Sequence, residues 1–250
     1  MRIVSWNCNG ALRNKVAQLD ALDADLIIVQ ECEDPTGSSS RYRDWAGSYL
    51  WKGTSQHKGI GIFPKKGNTV SALGWCGSFS LAGAVGACPA SSWTTKELEL
   101  FLPFKLNDQI TMLGVWTKGD DNRVFSYIGQ VWKYLCIHHS DVSDLSTMVL
   151  GDFNSNAIWD KPDRWWNHSD VVTKLAAAGL KSLYHEQHIS KHGKESHPTL
   201  FLQRNRTKQY HVDYAFVSKD LLPKSRLTIG LAEDWLLCSD HVPLVVDISE

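Results

Sequence analysis

Short apolar runs ending in polar turns alternate along this chain with segments whose apolar residues recur at helical spacing. Arg2 to Cys8 reads as a first strand and ends in Asn7-Cys8-Asn9-Gly10. Leu12, Val16, Leu19 and Leu22 then fall on one helix face, and Leu26 to Val29 returns as a buried strand ending in Gln30-Glu31. Gly59 to Phe63 and Val70 to Leu73 are strand-like, whereas Gly74 to Trp93, rich in Gly, Ala and Ser, has no period that places it. Glu97 to Leu106 alternates polar and apolar residues, Asn107-Asp108 turns the chain, and Gln109 to Trp116 is the partner strand.

The second half continues the mixture. Asp120-Asp121-Asn122 supplies capping side chains for a helix from Val124 to His138, with Ile128, Val131 and Leu135 on its buried face. Met148 to Leu150 is a strand that runs into Gly151-Asp152-Phe153-Asn154. A tryptophan-rich loop covers Trp159 to Trp166, Ser169 caps a helix through Ala178, and Gly179 stops it. Ser182 to Tyr184, Thr199 to Leu202, Tyr210 to Ser218, Leu227 to Leu231 and Val242 to Ile248 are strand-like. Many strands, mostly antiparallel, with helices among them predict an α/β (α+β) fold: two packed sheets with helices outside. No repeat, linker or low-complexity tract divides the 250 residues, which suit one domain with a sizeable core.

Composition narrows the partners more than the fold. Hydrophobic residues make up 43% and charged ones 21%, with a net charge of -1, so no global basic field attracts nucleic acid. A polyanion would have to be held by a local patch. No run is long enough to span a bilayer, and the amino terminus lacks a secretory pattern, so no membrane partner and a cytoplasmic location are expected. The six cysteines show no C-x-x-C or zinc-finger spacing and read as reduced and mostly buried.

Polar groups cluster at five strand ends. Alternation along a strand points Asp152 and Asn154 one way and Phe153 the other, and it likewise pairs Asn7 with Asn9 and His211 with Asp213. Glu31 ends the strand expected beside the first, and Ser239-Asp240-His241 precedes the last apolar run. Singly these say little: Gly-Asp-Phe-Asn reads equally well as a simple turn, a lone Glu as solvated and a lone His as structural. Five together point to a site.

The ordered set Ser5-Trp6-Asn7-Cys8-Asn9-Gly10, Val29-Gln30-Glu31, Gly151-Asp152-Phe153-Asn154, His211-Val212-Asp213-Tyr214 and Ser239-Asp240-His241 resembles the endonuclease/exonuclease/phosphatase superfamily. It lies on the exonuclease III and abasic-site endonuclease side, and the likeness runs from residue 3 to residue 246. The resemblance implies a four-layer αββα sandwich with two mixed, mainly antiparallel sheets. It also implies a divalent-metal phosphoesterase site at one end.

That chemistry needs these residue types. A phosphodiester is an anion and resists attack by water until charge is neutralised. The resemblance implies Mg²⁺, with Mn²⁺ as a substitute, held by Glu31 with Asn7, Asn9 and Asp240 near it. Asp152 orients and deprotonates the water, while Asn154 holds it or donates to a phosphate oxygen. Asp213 pairs with His241 to keep a cation facing the phosphate, though the pair also reads as a structural hydrogen bond closing a sheet edge.

One departure stands out. Where the family usually has Tyr or His after the strand that precedes the long helix, this chain has Trp116 and then Lys118. Trp116 gives up no proton at working pH, so leaving-group help would come from metal-bound water, from Lys118 or not at all.

On the substrate side, Arg204, Arg206 and Lys208 form a basic loop, with Tyr210 and His211 just beyond it. Arg13, Lys15, Lys161 and Arg164 flank other motifs, and Trp165, Trp166 or Tyr210 offer stacking faces. The basic loop reads equally as ordinary solvated surface. His185, His188, His192 and His197 fit no standard zinc spacing and are expected on the surface or in loops. The leading expectation is a DNA nuclease acting as a monomer without an obligate protein partner. The alternatives are a phosphoesterase for a nucleotide or small phosphorylated metabolite, and a nucleic-acid-binding module with little activity.

Overall fold

In a computed structural model, which describes residues 1–81, 91–119 and 124–249, most strands join two six-stranded sheets. The strands in chain order are β1 (Arg2–Asn7), β2 (Leu26–Cys32), β3 (Leu50–Ser55), β4 (Lys58–Pro64), β5 (Val70–Ala72), β6 (Ser78–Ser80), β7 (Ser92–Thr94) and β8 (Phe101–Leu106). They continue as β9 (Ile110–Trp116), β10 (Thr147–Asp152), β11 (Leu180–Ser182), β12 (Leu200–Phe201), β13 (Gln209–Tyr210), β14 (Asp213–Ser218), β15 (Ser225–Ile229) and β16 (Leu244–Ile248). The helices are α1 (Val16–Asp20), α2 (Ser40–Ala46), α3 (Ile128–His138), α4 (His168–Ala177), α5 (Leu183–His188) and α6 (Ala232–Trp235).

The sheet orders are β15-β16-β1-β2-β4-β3 and β11-β14-β10-β9-β8-β5. Each sheet has one parallel pair at its centre, β1 with β2 and β9 with β10, and every other pairing in it is antiparallel. Both sheets are thus mixed and mainly antiparallel, as expected.

Alternation decides the layers. Ile3, Leu26, Ile28, Ile60 and Ile62 of one sheet meet Phe104, Met112, Met148, Leu150 and Val217 of the other in the central core. The intervening residues Val4, Trp6, Ile27 and Val29 face outward and are covered by Val16, Leu19, Tyr42 and Trp235 of α1, α2 and α6. On the other side Leu113, Val115, Val149 and Phe216 lie under Val131, Leu135, Val171 and Leu175 of α3 and α4. Helix, sheet, sheet and helix make the four layers. Asn7 keeps the phase of Ile3, and Asp152 that of Leu150, so both project from the sheets into the end of the central core.

Several boundaries depart from the sequence pattern, each for a local reason. The helix expected from Leu12 splits into a 3-10 turn (Leu12–Asn14) and α1, because Lys15 leaves helical geometry and donates to the carbonyls of Cys8 and Gly10. α4 starts from an Asn167–Asp170 capping box instead of Ser169, which is tied to Asp160. The strand placed at Ser182 to Tyr184 stops at Ser182, where α5 begins. Tyr210 to Ser218 breaks at His211 and Val212, since the amides of Val212 and Asp213 both donate to Thr199 Oγ1. α3 begins at Ile128, and its expected caps Asp120 to Asn122 lie outside the described residues. α2, β3 and α6 have no counterpart in the sequence reading.

Among the described residues Cys8, Cys32 and Cys238 are buried free thiols, Cys136 is half-buried and Cys76 is exposed. No helix among them is long and apolar enough to cross a membrane.

Candidate active site

The two parallel pairs end at the same edge of the sandwich, and the site is built there. Asn7, last in β1, donates from Nδ2 to Asp152 Oδ2 at 2.9 Å and to Glu31 Oε1 at 3.3 Å. That single amide links both sheets.

Glu31 reaches it through a break in its own strand. Gln30 and Cys32 pair with neighbouring residues of β4, so Glu31 is an inserted residue, with φ of 61°. Bulges re-aim side chains beside active sites, and this one turns Glu31 toward Asn7. Its other oxygen takes an ion pair from Lys58 Nζ at 2.5 Å.

Asp152 is fully buried. Its Oδ1 accepts from the Asn154 amide at 2.8 Å, and its Oδ2 from Asn154 Nδ2 at 3.0 Å. Asn154 does not sit on the strand face with Asp152: β10 ends at Asp152, and Asn154 is a left-handed turn residue with φ of 44°. The pair meets through a local side-chain turn instead. Asn154 is fixed further by its Nδ2 donating to Thr117 O at 2.7 Å.

Gly151 explains why this turn follows the strand so closely. Its φ is +143°, and a Cβ there would lie 2.0 Å from Val115 O on β9. Gly151→Ala is therefore expected to push β10 off β9 and cost at least about 2 kcal/mol, read as a fall in denaturant midpoint. An unchanged midpoint would refute this account of the glycine.

Asp213 opens β14 and stands opposite Asp152 in register. His241 bridges them, with Nδ1 at 2.9 Å from Asp213 Oδ2 and Nε2 at 4.0 Å from Asp152 Oδ2. Ser239, which the motif contained but whose role the sequence did not reveal, holds this corner: its Oγ accepts from the His241 amide and donates to Asn7 O. Burial would lower the imidazole pKa, but Asp213 and Asp152 outweigh it and raise it to about 10, so the ring is an imidazolium. Burial first, then the Asp213 charge, raise Asp152 above the usual carboxylate range. The His241 cation and the Asn7 and Asn154 donors offset part of this.

The remaining expected residues divide. Asn9 does not share a face with Asn7: it is exposed in a left-handed turn, and only its amide returns, to Asn7 Oδ1 at 2.9 Å. Asp240 is half-buried and stands outside the Asp152, Asp213 and His241 donor cluster. His211 turns away into a buried group with Tyr184 and Tyr214, its Nδ1 donating to His197 O. Trp116 pairs with Asp152 in the β9–β10 register but is 3% exposed, a core residue whose Nε1 finds no partner among the described residues. Lys118 is exposed beside it, 5.9 Å from the ring.

The basic loop is partly spoken for. Arg204 donates to the carbonyls of Leu237 and Cys238, and Arg206 pairs with Glu233 at 3.1 Å. Tyr210 lies against Trp159, ring centroids 5.1 Å apart, on a cleft of about 510 Å³ that Asn154, Arg164 and Trp166 also line. Lys58 and Thr199 were not expected. No sequence signal marks them: Lys58 arrives through the β2–β4 register, and Thr199, just before β12, through a hydroxyl that accepts from the Val212 and Asp213 amides.

The donors at the site suit a hard divalent cation. Glu31 and Asp152 offer carboxylate oxygens linked through Asn7, and the Lys58 ammonium already serves as counter-cation on a Glu31 side chain that is 19% exposed. Among the described residues the donor group here contains no thiol, and its one imidazole, His241, is engaged by Asp213.

The family described as Endonuclease/Exonuclease/phosphatase matches residues 4–241. The chain belongs to the endonuclease/exonuclease/phosphatase family. No curated protein sequence matches it.

Solved structures share the fold. A 3' phosphatase NExo from Neisseria, bound to a product DNA hairpin, is 16% identical with a TM-score of 0.69, each chain covering 100% of the other. An AP endonuclease from Archaeoglobus fulgidus is 17% identical at a TM-score of 0.69, again over 100% of both chains. The catalytic domain of Xenopus laevis APE2 is 18% identical at 0.65, over 99% of this chain and 91% of that one.

Proposed function

We propose that this family member is a Mg²⁺-dependent phosphodiesterase that cuts DNA, working as a single domain and a monomer. The observation that carries the reading is the meeting of Asn7, Glu31 and Asp152 within hydrogen-bond reach, with the His241 cation beside them.

Glu31, with Asn7 beside it, would hold the metal. Bound there, Mg²⁺ or Mn²⁺ supplies charge neutralisation at the phosphoryl oxygen. Asp152 is the base that accepts the proton of the attacking water, and its raised pKa suits that task near neutral pH. Asn154, held by Thr117, donates to the water or to phosphate. His241, kept charged by Asp213, stabilises the anionic phosphate. Trp116, buried and without a titrating proton, takes no part in proton transfer.

The neighbours named for DNA ends and AP sites favour DNA as substrate. A second reading, a small phosphorylated substrate, draws on the engagement of Arg204 and Arg206 within the protein and on the net charge of -1.

The test is cleavage of plasmid, abasic-site duplex and single-stranded DNA, with Mg²⁺ and with EDTA. DNA cleavage that EDTA abolishes and Mg²⁺ restores is the expected result. Phosphate release from nucleotides without DNA cleavage would replace it by the second reading, and no hydrolysis of either would sink both.

A further inference from the structure

A second cluster of ligating side chains lies away from this edge. It forms where α5, the loop after it, the start of α4 and the residues before β14 converge. His185 Nε2 is 2.9 Å from Glu195 Oε1, and the His185 and His192 rings stack with centroids 3.5 Å apart. One donor atom from each of His185, His192 and Glu195 lies within 4.8 Å of the others.

The surroundings are arranged for ligands. Glu195 is locked by the Gly193 amide, 3.0 Å from each oxygen, and by Asn156 Nδ2 at 3.0 Å. Ser182 Oγ sits 2.7 Å from His185 Nδ1, and His168 Nε2 sits 3.1 Å from His192 Nδ1. Each imidazole thus has one nitrogen engaged by a neighbour, the arrangement that orients a histidine ligand and sets its tautomer. Two more buried nitrogens at this cluster, His168 Nδ1 and His211 Nε2, find no partner among the described residues, and their residues are 1% and 4% exposed. Buried polar atoms left unpaired in so dense a group of imidazoles mark a place missing a polar or cationic occupant.

We propose that His185, His192 and Glu195 form a transition-metal site, of a kind that takes Zn²⁺, separate from the catalytic centre. Two imidazoles and one carboxylate suit zinc and disfavour Mg²⁺. His192 is only partly buried, which gives the ion an entry path and leaves a position for water. On binding, the His185 proton moves to Nδ1 and is donated to Ser182 Oγ, freeing Nε2 for the metal. Glu195 continues through Asn156 to the His211 carbonyl and the Tyr214 hydroxyl. Because Asn156 lies two residues past Asn154, the site clasps the loop after α5 to the catalytic loop.

The experiment is equilibrium dialysis of metal-free protein against Zn²⁺ in excess Mg²⁺, with bound zinc counted per chain. One equivalent is expected in the wild type and equally in Glu31→Gln, with binding at least about tenfold weaker in His192→Ala and Glu195→Gln. The visible spectrum of Co²⁺ in Glu31→Gln, where strong absorption marks low-coordinate nitrogen and oxygen ligation, reads the site without altering it. No zinc in the wild type, a weak six-coordinate cobalt spectrum, or zinc lost in Glu31→Gln but kept in His192→Ala would each overturn the proposal.

Discussion

Asp152→Asn is expected to slow phosphodiester cleavage by about 10²–10⁴ while leaving the fold standing. The carboxamide keeps the shape of the side chain but cannot accept a proton from water. Stability is pulled two ways. Losing the carboxylate relieves burial and the repulsion from Asp213, both of which raise the wild-type pKa. Against that, the new amide nitrogen replaces an oxygen that accepts from Asn7 Nδ2 and Asn154 Nδ2, so two donors lose their acceptor. An unmade buried hydrogen bond costs about 1–3 kcal/mol, which is comparable with the relief. The net change in unfolding free energy should therefore stay within about 2 kcal/mol, and denaturant titration beside a rate at saturating Mg²⁺ separates the two effects. Full activity in the variant would remove Asp152 from the role of base.

How far the sequence foretold this site depends on what each residue needed. Asn7 and Asp152 needed only strand alternation: apolar residues two positions apart set the phase of β1 and β10, and the polar residue that ends each run inherits it. Asp213 and His241 came with their motifs. Glu31 stood out as the polar end of an apolar run, but the bulge that turns it toward Asn7 is a backbone event of the β2–β4 register, and composition carries no trace of it. Lys58 depends on the same register. Asn9 was misplaced because alternation was extended one turn too far, past the point where the chain goes left-handed. Arg204 and Arg206 read as a free basic loop because their partners, two carbonyls and Glu233, lie 27 to 34 residues away. The histidines of α5 and of the loop after it follow no standard ligand spacing, since helix and loop bring them together only in three dimensions.

Replacing His241 is expected to destabilise the protein by about 3–5 kcal/mol, because His241→Ala leaves Asp152 and Asp213 buried with no cation between them. Asp213→Asn in the same chain should recover part of that loss, since one of the two carboxylates then goes. The wild-type pH profile, in EDTA, tests the same point without a core truncation. The folded pKa of His241 is raised to about 10 from an ordinary 6.5, so its contribution is complete below 6.5 and lost as pH rises through 10. One proton changes stability by about 1.4 kcal/mol per pH unit across that window. On the acid side the sign reverses. Burial holds His168 at about 3 and His192 and His211 at about 4, so below 6.5 the unfolded chain takes up their protons first and stability falls. The raised carboxyl of Asp152 opposes this with a single proton, and three outweigh one. Unfolding free energy should peak near pH 6.5 and decline on both sides, and Asp213→Asn should flatten the alkaline limb alone by removing the main partner of the imidazolium. A wild-type profile level from 6.5 to 10, or an alkaline limb untouched in Asp213→Asn, would mean that His241 is neutral in the folded protein and cannot meet phosphate as a cation.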